Sequence, residues 1–209
     1  MSEVLDLLKQ AVAMLEEAET DEVEEIAEVE DGCELSTLKP GEIFKIGEHD
    51  FIVLEHTSEG TAVISKGFMA KNKKFDSDTR DYNKSILKKL IEKDIQPVIE
   101  EVVGAENLVE HEVDLISVDN QNEFGTCKCK VRPITFDEAR KYNDLIVNEN
   151  IGDWWWTCTP WSKKGRGWDY SLAVVSPSGI IDCDVYFSVI GVRPFCILKS
   201  NIFVSRGEA

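Results

Sequence analysis

From Leu38 onward the sequence consists of short apolar segments separated by turn residues, a pattern that restricts the chain to a fold rich in antiparallel strands. The first such segments cover residues 43–46, 51–54 and 62–65, and turns containing Gly or Pro separate them. Strands joined by short turns pair with their neighbours, so these segments predict an antiparallel meander. The segments that predict a second group of strands are 154–157, 172–175, 180–185 and 192–198.

Two helical segments interrupt the strands. Residues 81–103 carry apolar side chains at helical spacing, and Pro97 predicts that a second helix begins there. Thr135 and Glu138 have the spacing of a capping box, which predicts a helix over residues 136–146. The polar stretch 120–130 is predicted to be a loop. The fold class is therefore α+β, with helices inserted between two groups of antiparallel strands.

The first 31 residues differ from the rest of the chain. Apolar residues at heptad spacing predict an amphipathic helix over residues 3–19, and the stripe consists of Leu5, Leu8, Val12 and Leu15. This stripe either packs on the main domain or joins copies of the chain in a homo-oligomer. Glu16 to Asp31 contains ten acidic residues and no basic one, which is typical of a solvated linker. We therefore divide the chain into a helix with an acidic linker, residues 1–31, and an α+β domain, residues 32–209.

The charge excludes several classes of partner. With 40 acidic and 23 basic residues the net charge is -17, whereas nucleic-acid-binding proteins usually present a basic patch, so we predict no direct nucleic-acid binding. No apolar run reaches the roughly 18 residues that a membrane span needs, which predicts no membrane partner. The first residues lack a signal-type apolar core, which predicts synthesis in the cytoplasm.

The reactive residues form no recognisable catalytic pattern. Six cysteines are too few for a disulfide scaffold, so free thiols are expected. The sequence contains no P-loop, dinucleotide-binding glycine motif, nucleophile elbow or H-E-x-x-H motif. We predict that the protein is not an enzyme and has neither a metal nor a cofactor.

Several segments occur in an order that resembles a known family. They are the stretch 38–55 (LKPGEIFKIGEHDFIVLE), the stretch 81–90 (DYNKSILKKL), the stretch 154–160 (WWWTCTP), the stretch 173–179 (AVVSPSG) and the stretch 191–194 (GVRP). Together they resemble an uncharacterised domain family of bacteria and phages that opens with a W-x-V-L strand and ends in G-V-R-P. That family is distantly similar to the C-type-lectin-like fold of the formylglycine-generating (sulfatase-modifying) enzymes and of phage receptor-binding proteins diversified by retroelements. The similarity covers residues 38–199, with Phe51 where the family usually has Trp.

The resemblance implies a C-type-lectin-like domain that is encoded by a phage or prophage, with a virion-associated location as one expectation. In such domains ligands bind on the surface formed by a long loop and the strands that follow it. All five tryptophans lie in this region of the chain. The residues expected to bind ligand are Trp155, Trp161, Lys163, Arg166, Trp168, Asp169, Tyr170, Asp182, Asp184, Tyr186 and Ser188.

Strand alternation refines this prediction. Consecutive tryptophans on a strand face opposite sides, so Trp154 and Trp156 are predicted to be in the core, whereas Trp155 either is exposed to bind ligand or also belongs to the core. The same alternation extends over residues 181–188. One predicted face holds Asp182, Asp184, Tyr186 and Ser188, and the other holds Ile181, Cys183, Val185 and Phe187. An ordinary solvated sheet face is the alternative for these polar residues. Gly191 and Arg193 are predicted to be structural, with Arg193 binding carbonyl groups or a buried carboxylate.

Three functional hypotheses follow. The favoured one is a non-enzymatic module that binds a protein or glycan through the Trp-rich loop and the C-terminal strand face. The second is an acidic inhibitor or decoy that mimics nucleic acid toward a basic partner. The third is a copper-thiolate oxidase related to the formylglycine-generating enzymes, which requires two of Cys158, Cys183 and Cys196 at one metal ion.

Overall fold

The computed structural model describes residues 32–207. The chain divides into two units, Met1–Gly32 and Cys33–Ala209. The predicted N-terminal helix, with its stripe of Leu5, Leu8, Val12 and Leu15, and the acidic linker lie outside the described residues. None of the helices in the described part of the chain is both long and apolar enough to cross a membrane.

Most of the described chain is β-sheet. The strands are β1 (Gly32–Glu34), β2 (Ile43–Ile46), β3 (His49–His56), β4 (Thr61–Ser65), β5 (Ala70–Lys73), β6 (Leu108–Val109), β7 (His111–Ile116), β8 (Asn122–Cys129), β9 (Val131–Pro133), β10 (Trp155–Pro160), β11 (Ser171–Val175), β12 (Ile181–Val185), β13 (Ile190–Val192), β14 (Pro194–Leu198) and β15 (Phe203–Arg206). The larger sheet has the order β1-β15-β2-β3-β4-β14-β6, and β9 also pairs with β14. The smaller sheet has the order β12-β11-β10-β13-β5, and β7 with β8 forms a separate hairpin. The β10–β13 pair is parallel, whereas the other pairs of the smaller sheet are antiparallel.

The helices lie in the two segments that the sequence indicated. They are α1 (Ile86–Leu90), a π-helical turn (Ile91–Ile95), α2 (Gln96–Val103), α3 (Phe136–Lys141) and α4 (Asn143–Ile146), with short 3-10 turns at Leu35–Thr37, Tyr82–Lys84 and Glu149–Ile151. Pro97 is the second residue of α2, which follows the π-helical turn without a break, and the Gln96 N–H before it donates to the Ile91 carbonyl. The capping box before α3 is present, since the Thr135 hydroxyl accepts from the Glu138 N–H and the Glu138 carboxylate accepts from the Thr135 N–H. The α+β class is thus confirmed at the level of mostly antiparallel strands with a few helices.

Two secondary-structure predictions were wrong. The stretch 120–130 is mostly the strand β8, in which Cys127 and Cys129 face inward and Lys128 faces solvent. The polar residues of β8 are tolerated because the hairpin has one exposed face. The predicted strand 192–198 is two strands in different sheets, and Arg193 separates β13 from β14.

The larger sheet is covered on both faces. Alternate residues of β3 point to opposite sides, with Val53 in one buried cluster and Ile52 in the other. The first cluster contains the apolar residues of α1 and α2, and the second contains those of α3 and α4. Adjacent residues of β10 also divide between the clusters, because Trp156 packs in the first and Trp155 in the second.

The chain passes from the smaller sheet to the larger one at Arg193. Its Nε donates to the Ser65 carbonyl at 2.9 Å and its Nη1 to the Ile146 carbonyl at 2.6 Å. Its guanidinium stacks over the Trp155 ring, 4.5 Å from the centroid. Burial lowers the pKa of Arg193 to about 9. The side chain therefore joins β4, α4 and β10 from a fully buried position.

The β7–β8 hairpin is attached to the rest of the fold through Arg132. The Arg132 Nε donates to the His111 Nε2 at 3.0 Å, while Nη1 and Nη2 donate to the two carboxylate oxygens of Glu138 at 2.7 and 2.6 Å. Burial, reinforced by the Arg132 charge, lowers the pKa of His111 to about 4. His111 is therefore neutral at physiological pH and can accept this hydrogen bond.

Replacing Gly191 with Ala is expected to destabilise the protein by about 1–3 kcal/mol, the usual cost of overpacking. A Cβ at Gly191 would lie 2.2 Å from the Phe68 ring, whereas a Cβ at Gly67 would have no atom within 4 Å. Urea unfolding of Gly191→Ala and of the control Gly67→Ala measures the difference. Equal stability of the two variants would contradict the close approach at Gly191.

His111 is expected to make the protein less stable in acid. Its pKa in the fold is about 4, below the unfolded value near 6.5, so the unfolded chain binds the proton first as the pH falls. The stability is complete above about pH 6.5 and should fall by up to about 3 kcal/mol by pH 4. Urea unfolding across this range should show a shallower dependence for His111→Gln, which retains an acceptor for Arg132. An unchanged pH dependence would show that His111 is not responsible.

Candidate functional site

Three aromatic side chains form a row at one end of the smaller sheet. The Tyr170 and Tyr186 rings are 5.9 Å apart between centroids, and the Tyr186 and Phe187 rings are 5.5 Å apart. Tyr170 precedes β11 and Tyr186 follows β12, and the pairing of Ser171 with Val185 brings these two strand ends together. Tyr170 is 59% exposed and Phe187 50% exposed, whereas Tyr186 is 8% exposed. The row therefore has a buried centre and two exposed members.

The loop of residues 161–170, called the Trp loop below, ends at Tyr170, the first member of this row. The loop closes where the Trp161 N–H donates to the Ser171 carbonyl at 2.9 Å. Within it the Gly165 N–H donates to the Asp169 carboxylate at 2.6 Å, and Gly165 has a φ of +85° that favours glycine. Trp168 near the end of the loop is 50% exposed. The loop thus has internal hydrogen bonds while it presents a large aromatic group to solvent.

Asp119, in the turn of the β7–β8 hairpin, fixes the Trp loop from outside. Its Oδ1 accepts from the Ser117 hydroxyl at 2.5 Å. Its Oδ2 accepts from the Ser162 hydroxyl at 2.8 Å and from Arg166 Nη1 at 2.6 Å. The Ser117 bond first, and then those from Ser162 and Arg166, lower the pKa of Asp119 to about 2. The anchor is therefore ionised at neutral pH.

Glu123 provides a second anchor from the same hairpin. One of its carboxylate oxygens accepts from Arg80 Nη2 and from the Lys164 N–H, both at 3.0 Å. Arg80 also donates through Nη1 to the Ser162 carbonyl, and this guanidinium is almost fully buried. The Trp loop is consequently tied to both the hairpin and the segment that precedes α1.

A cavity of about 340 Å³ lies between these elements. Its lining combines aromatic rings with charged groups of both signs, and consists of Asp78, Thr79, Arg80, Glu123, Phe124, Lys164, Asp169, Tyr170 and Tyr186. The cavity and the exposed aromatics together form the candidate site. Such a site can bind a ligand, since apolar faces supply contact area and the charged groups supply specificity.

The predicted tryptophans occupy different environments. Trp155, which was predicted to bind ligand, is fully buried, because its side of β10 is covered by α3 and α4. This prediction was therefore wrong. Trp156 is also fully buried and donates through Nε1 to the Lys73 carbonyl at 2.8 Å. Trp154 is partly buried against the same cluster as Trp156, and Trp161 is half-buried.

The alternation predicted for residues 181–188 fails at its end. The strand β12 stops at Val185 and the chain turns, so Tyr186 is buried and Phe187 is exposed, the reverse of the prediction. Ser188 lies in the turn and donates to the Asp184 carboxylate at 2.8 Å. Phe187 thereby replaces Tyr186 as the exposed aromatic of this segment.

Asp182 and Asp184 cover the open edge of β12. The Asp182 carboxylate accepts from the Cys183 N–H, and the Asp184 carboxylate accepts from the Val185 N–H, each at 2.7 Å. Because β12 is the outermost strand of the smaller sheet, these N–H groups would otherwise be open to pairing with another chain. This arrangement supports edge protection as the role of the two carboxylates.

The three cysteines of the copper-thiolate hypothesis lie in surroundings that raise the pKa of the thiol. Burial raises the pKa of Cys158 and of Cys196 to about 12, and burial with two nearby carboxylates raises the pKa of Cys183. The thiolate is the form that binds metals, so these environments disfavour it. Within residues 32–207, no group of three or more His, Cys, Asp or Glu side chains is arranged to hold a metal ion.

No protein family, curated protein or solved structure matches this chain. The resemblance to C-type-lectin-like domains stays a prediction.

Sequence reasoning found part of the site. Asp169, Tyr170 and Tyr186 line the cavity as members of the predicted set, and Lys163 and Trp168 are exposed nearby in the chain. Most of the residues it missed lie far from the Trp loop in sequence, namely Asp78, Arg80, Asp119, Glu123 and Phe124, whereas the missed Lys164 lies within the loop. The local signal available in the sequence was the Asp119-Asn120 pair, since both residue types favour turns, and Asn120 does adopt the left-handed conformation.

Replacing Asp119 with Asn is expected to loosen the Trp loop, because the ion pair with Arg166 is lost. Trypsin should then cleave after Lys163, Lys164 or Arg166 several-fold faster than in the unmodified protein. Mass spectrometry of the fragments at neutral pH measures the rate at each site. Asp137→Asn is the control, because it removes the exposed pair between Asp137 and Arg140 elsewhere. Equal cleavage of both variants would contradict the anchoring role.

Proposed function

We propose that the protein is a non-enzymatic binding module that recognises a protein or glycan through the Trp loop and the adjoining aromatic row. The observation that carries this proposal is the exposure of Trp168, Tyr170 and Phe187 on a loop and a turn that are held by several hydrogen bonds. Large aromatic groups exposed together are typical of binding surfaces, because their contact area costs little conformational entropy on binding.

The hydrogen bonds that hold the Trp loop in place favour a role in binding. Asp119 and Glu123 hold the Trp loop through side chains of the neighbouring hairpin, so the loop loses little additional freedom when a ligand binds. A pre-ordered aromatic surface beside a cavity with polar groups is the arrangement expected of a recognition site.

We propose further that the domain belongs to the C-type-lectin-like class that the sequence resembles. The support is the α+β architecture of mostly antiparallel strands with inserted helices, together with a long loop that carries the exposed aromatic residues. In this proposal the Trp loop corresponds to the ligand-binding loop of that class.

Trp168→Ala is expected to weaken binding to a ligand of the site by roughly 30-fold, the size of a typical hot-spot loss. The ligand is first selected by screening the full chain against arrays of purified glycans and of displayed peptides, and its affinity is then measured by calorimetry. Phe203→Ala is the matched control, because Phe203 is 77% exposed but lies on β15 of the other sheet. A ligand whose affinity is unaffected by Trp168→Ala, Tyr170→Ala and Phe187→Ala would refute the proposed surface.

A further inference from the structure

We propose that the cavity beside the Trp loop binds a cationic side chain, a lysine or arginine of a partner protein. This inference rests on the proposed function and narrows its ligand to one chemical class. The first support is the aromatic part of the lining, since Tyr170, Tyr186 and Phe124 border the same cavity. Aromatic faces attract cations, and the Arg80 guanidinium already lies 5.6 Å from the centre of the Phe124 ring.

The carboxylates of the lining supply the second support. Asp78 and Asp169 both border the cavity. Asp78 is exposed, and its carboxylate accepts no hydrogen bond from the part of the chain that the structure describes. Asp169 accepts one backbone hydrogen bond, from Gly165, and keeps further acceptor capacity. Both carboxylates can therefore pair with an incoming cation.

The cations of the lining do not cancel this charge. Arg80 is committed to Glu123 at 3.0 Å and to the Ser162 carbonyl, so its charge is already paired. Lys164 binds Glu123 through its backbone N–H, while its side chain is exposed at the rim and is free to turn into solvent. An anionic ligand would instead be repelled by the carboxylates of Asp78 and Asp169. The lining offers it no buried cation that is still unpaired.

The surroundings of Tyr186 agree with a negative cavity. Burial raises the pKa of the Tyr186 phenol, and Tyr170, Asp78 and Asp76 raise it further, while Arg80 opposes them with a smaller effect. Asp76 is also buried beside the cavity, where the N–H groups of Ser77, Asp78, Thr79 and Ile86 hold it ionised. A positive group placed near the phenol would therefore be stabilised by the local field.

The test uses the full chain and two capped tripeptides that differ in one group, acetyl-Gly-Arg-Gly-amide and the same peptide with citrulline, the neutral isostere of arginine. Binding is followed by NMR through the chemical shifts of Tyr170, Tyr186 and Phe124. A local signal is needed because the acidic run from Glu16 to Asp31 can attract any cation. The arginine probe is expected to bind the cavity about tenfold more tightly than the citrulline probe.

Variants that remove one charge from the cavity lining test whether negative charge strengthens binding of the arginine probe. Asp78→Asn is expected to weaken the arginine probe by up to roughly fivefold, and Lys164→Gln to strengthen it by a similar factor. Asp144→Asn is the matched control, because Asp144 is exposed on α4 and contributes nothing to the cavity lining. It changes the net charge as Asp78→Asn does and should leave the shifts of Tyr186 unchanged.

The outcomes separate this inference from the proposed function. Equal affinity for arginine and citrulline, shifts confined to residues outside the cavity, or no binding at all would each overturn the cationic occupant. A glycan or neutral peptide whose binding is lost in Trp168→Ala would then leave the binding surface intact and refute only the charge requirement. If the arginine probe binds the cavity while no larger ligand depends on Trp168 or Phe187, which lie outside the cavity lining, the cavity inference holds and the proposed aromatic surface fails.

Discussion

The fold depends on one buried arginine at the point where the chain leaves the smaller sheet for the larger. Arg193 stands alone between β13 and β14, and it binds the carbonyls of Ser65 and Ile146 while stacking on Trp155. Its Nη2 finds no partner among residues 32–207, and burying a cation without a carboxylate is costly. Two hydrogen bonds and the stacking on Trp155 offset part of this cost, and the same contacts fix a strand, a helix and a tryptophan relative to one another.

The position of the candidate site follows from this frame. With β10 fixed by its two tryptophans in opposite clusters, the ends of β10 and β11 are also fixed, and the Trp loop must span them. The hairpin β7–β8 then supplies Asp119 and Glu123, and Arg132 ties that hairpin to α3 through Glu138. A loop supported in this way keeps exposed aromatic groups in place without burying them.

The errors of the sequence-based prediction have identifiable causes. Strand alternation was extended through residue 188, but β12 ends at Val185, so the turn exchanged the environments of Tyr186 and Phe187. Trp155 was included among the exposed residues because strand alternation places neighbouring residues on opposite faces of the sheet. Alternation does not indicate whether other elements cover both of those faces. Here both faces of β10 are covered, and Trp155 packs against α3 and α4.

The sequence by itself determined the features that depend on neighbours in the chain: the strands β2 to β4 with their turns, the start of α2 one residue before Pro97, and the capping box of α3. These rest on hydrogen bonds and backbone preferences of nearby residues, which local patterns record. The tertiary structure alone decided which tryptophans are exposed and which distant residues hold the Trp loop. Asp119 and Arg166 are separated by 47 positions, and only the packing of separate elements brings such groups within hydrogen-bonding distance.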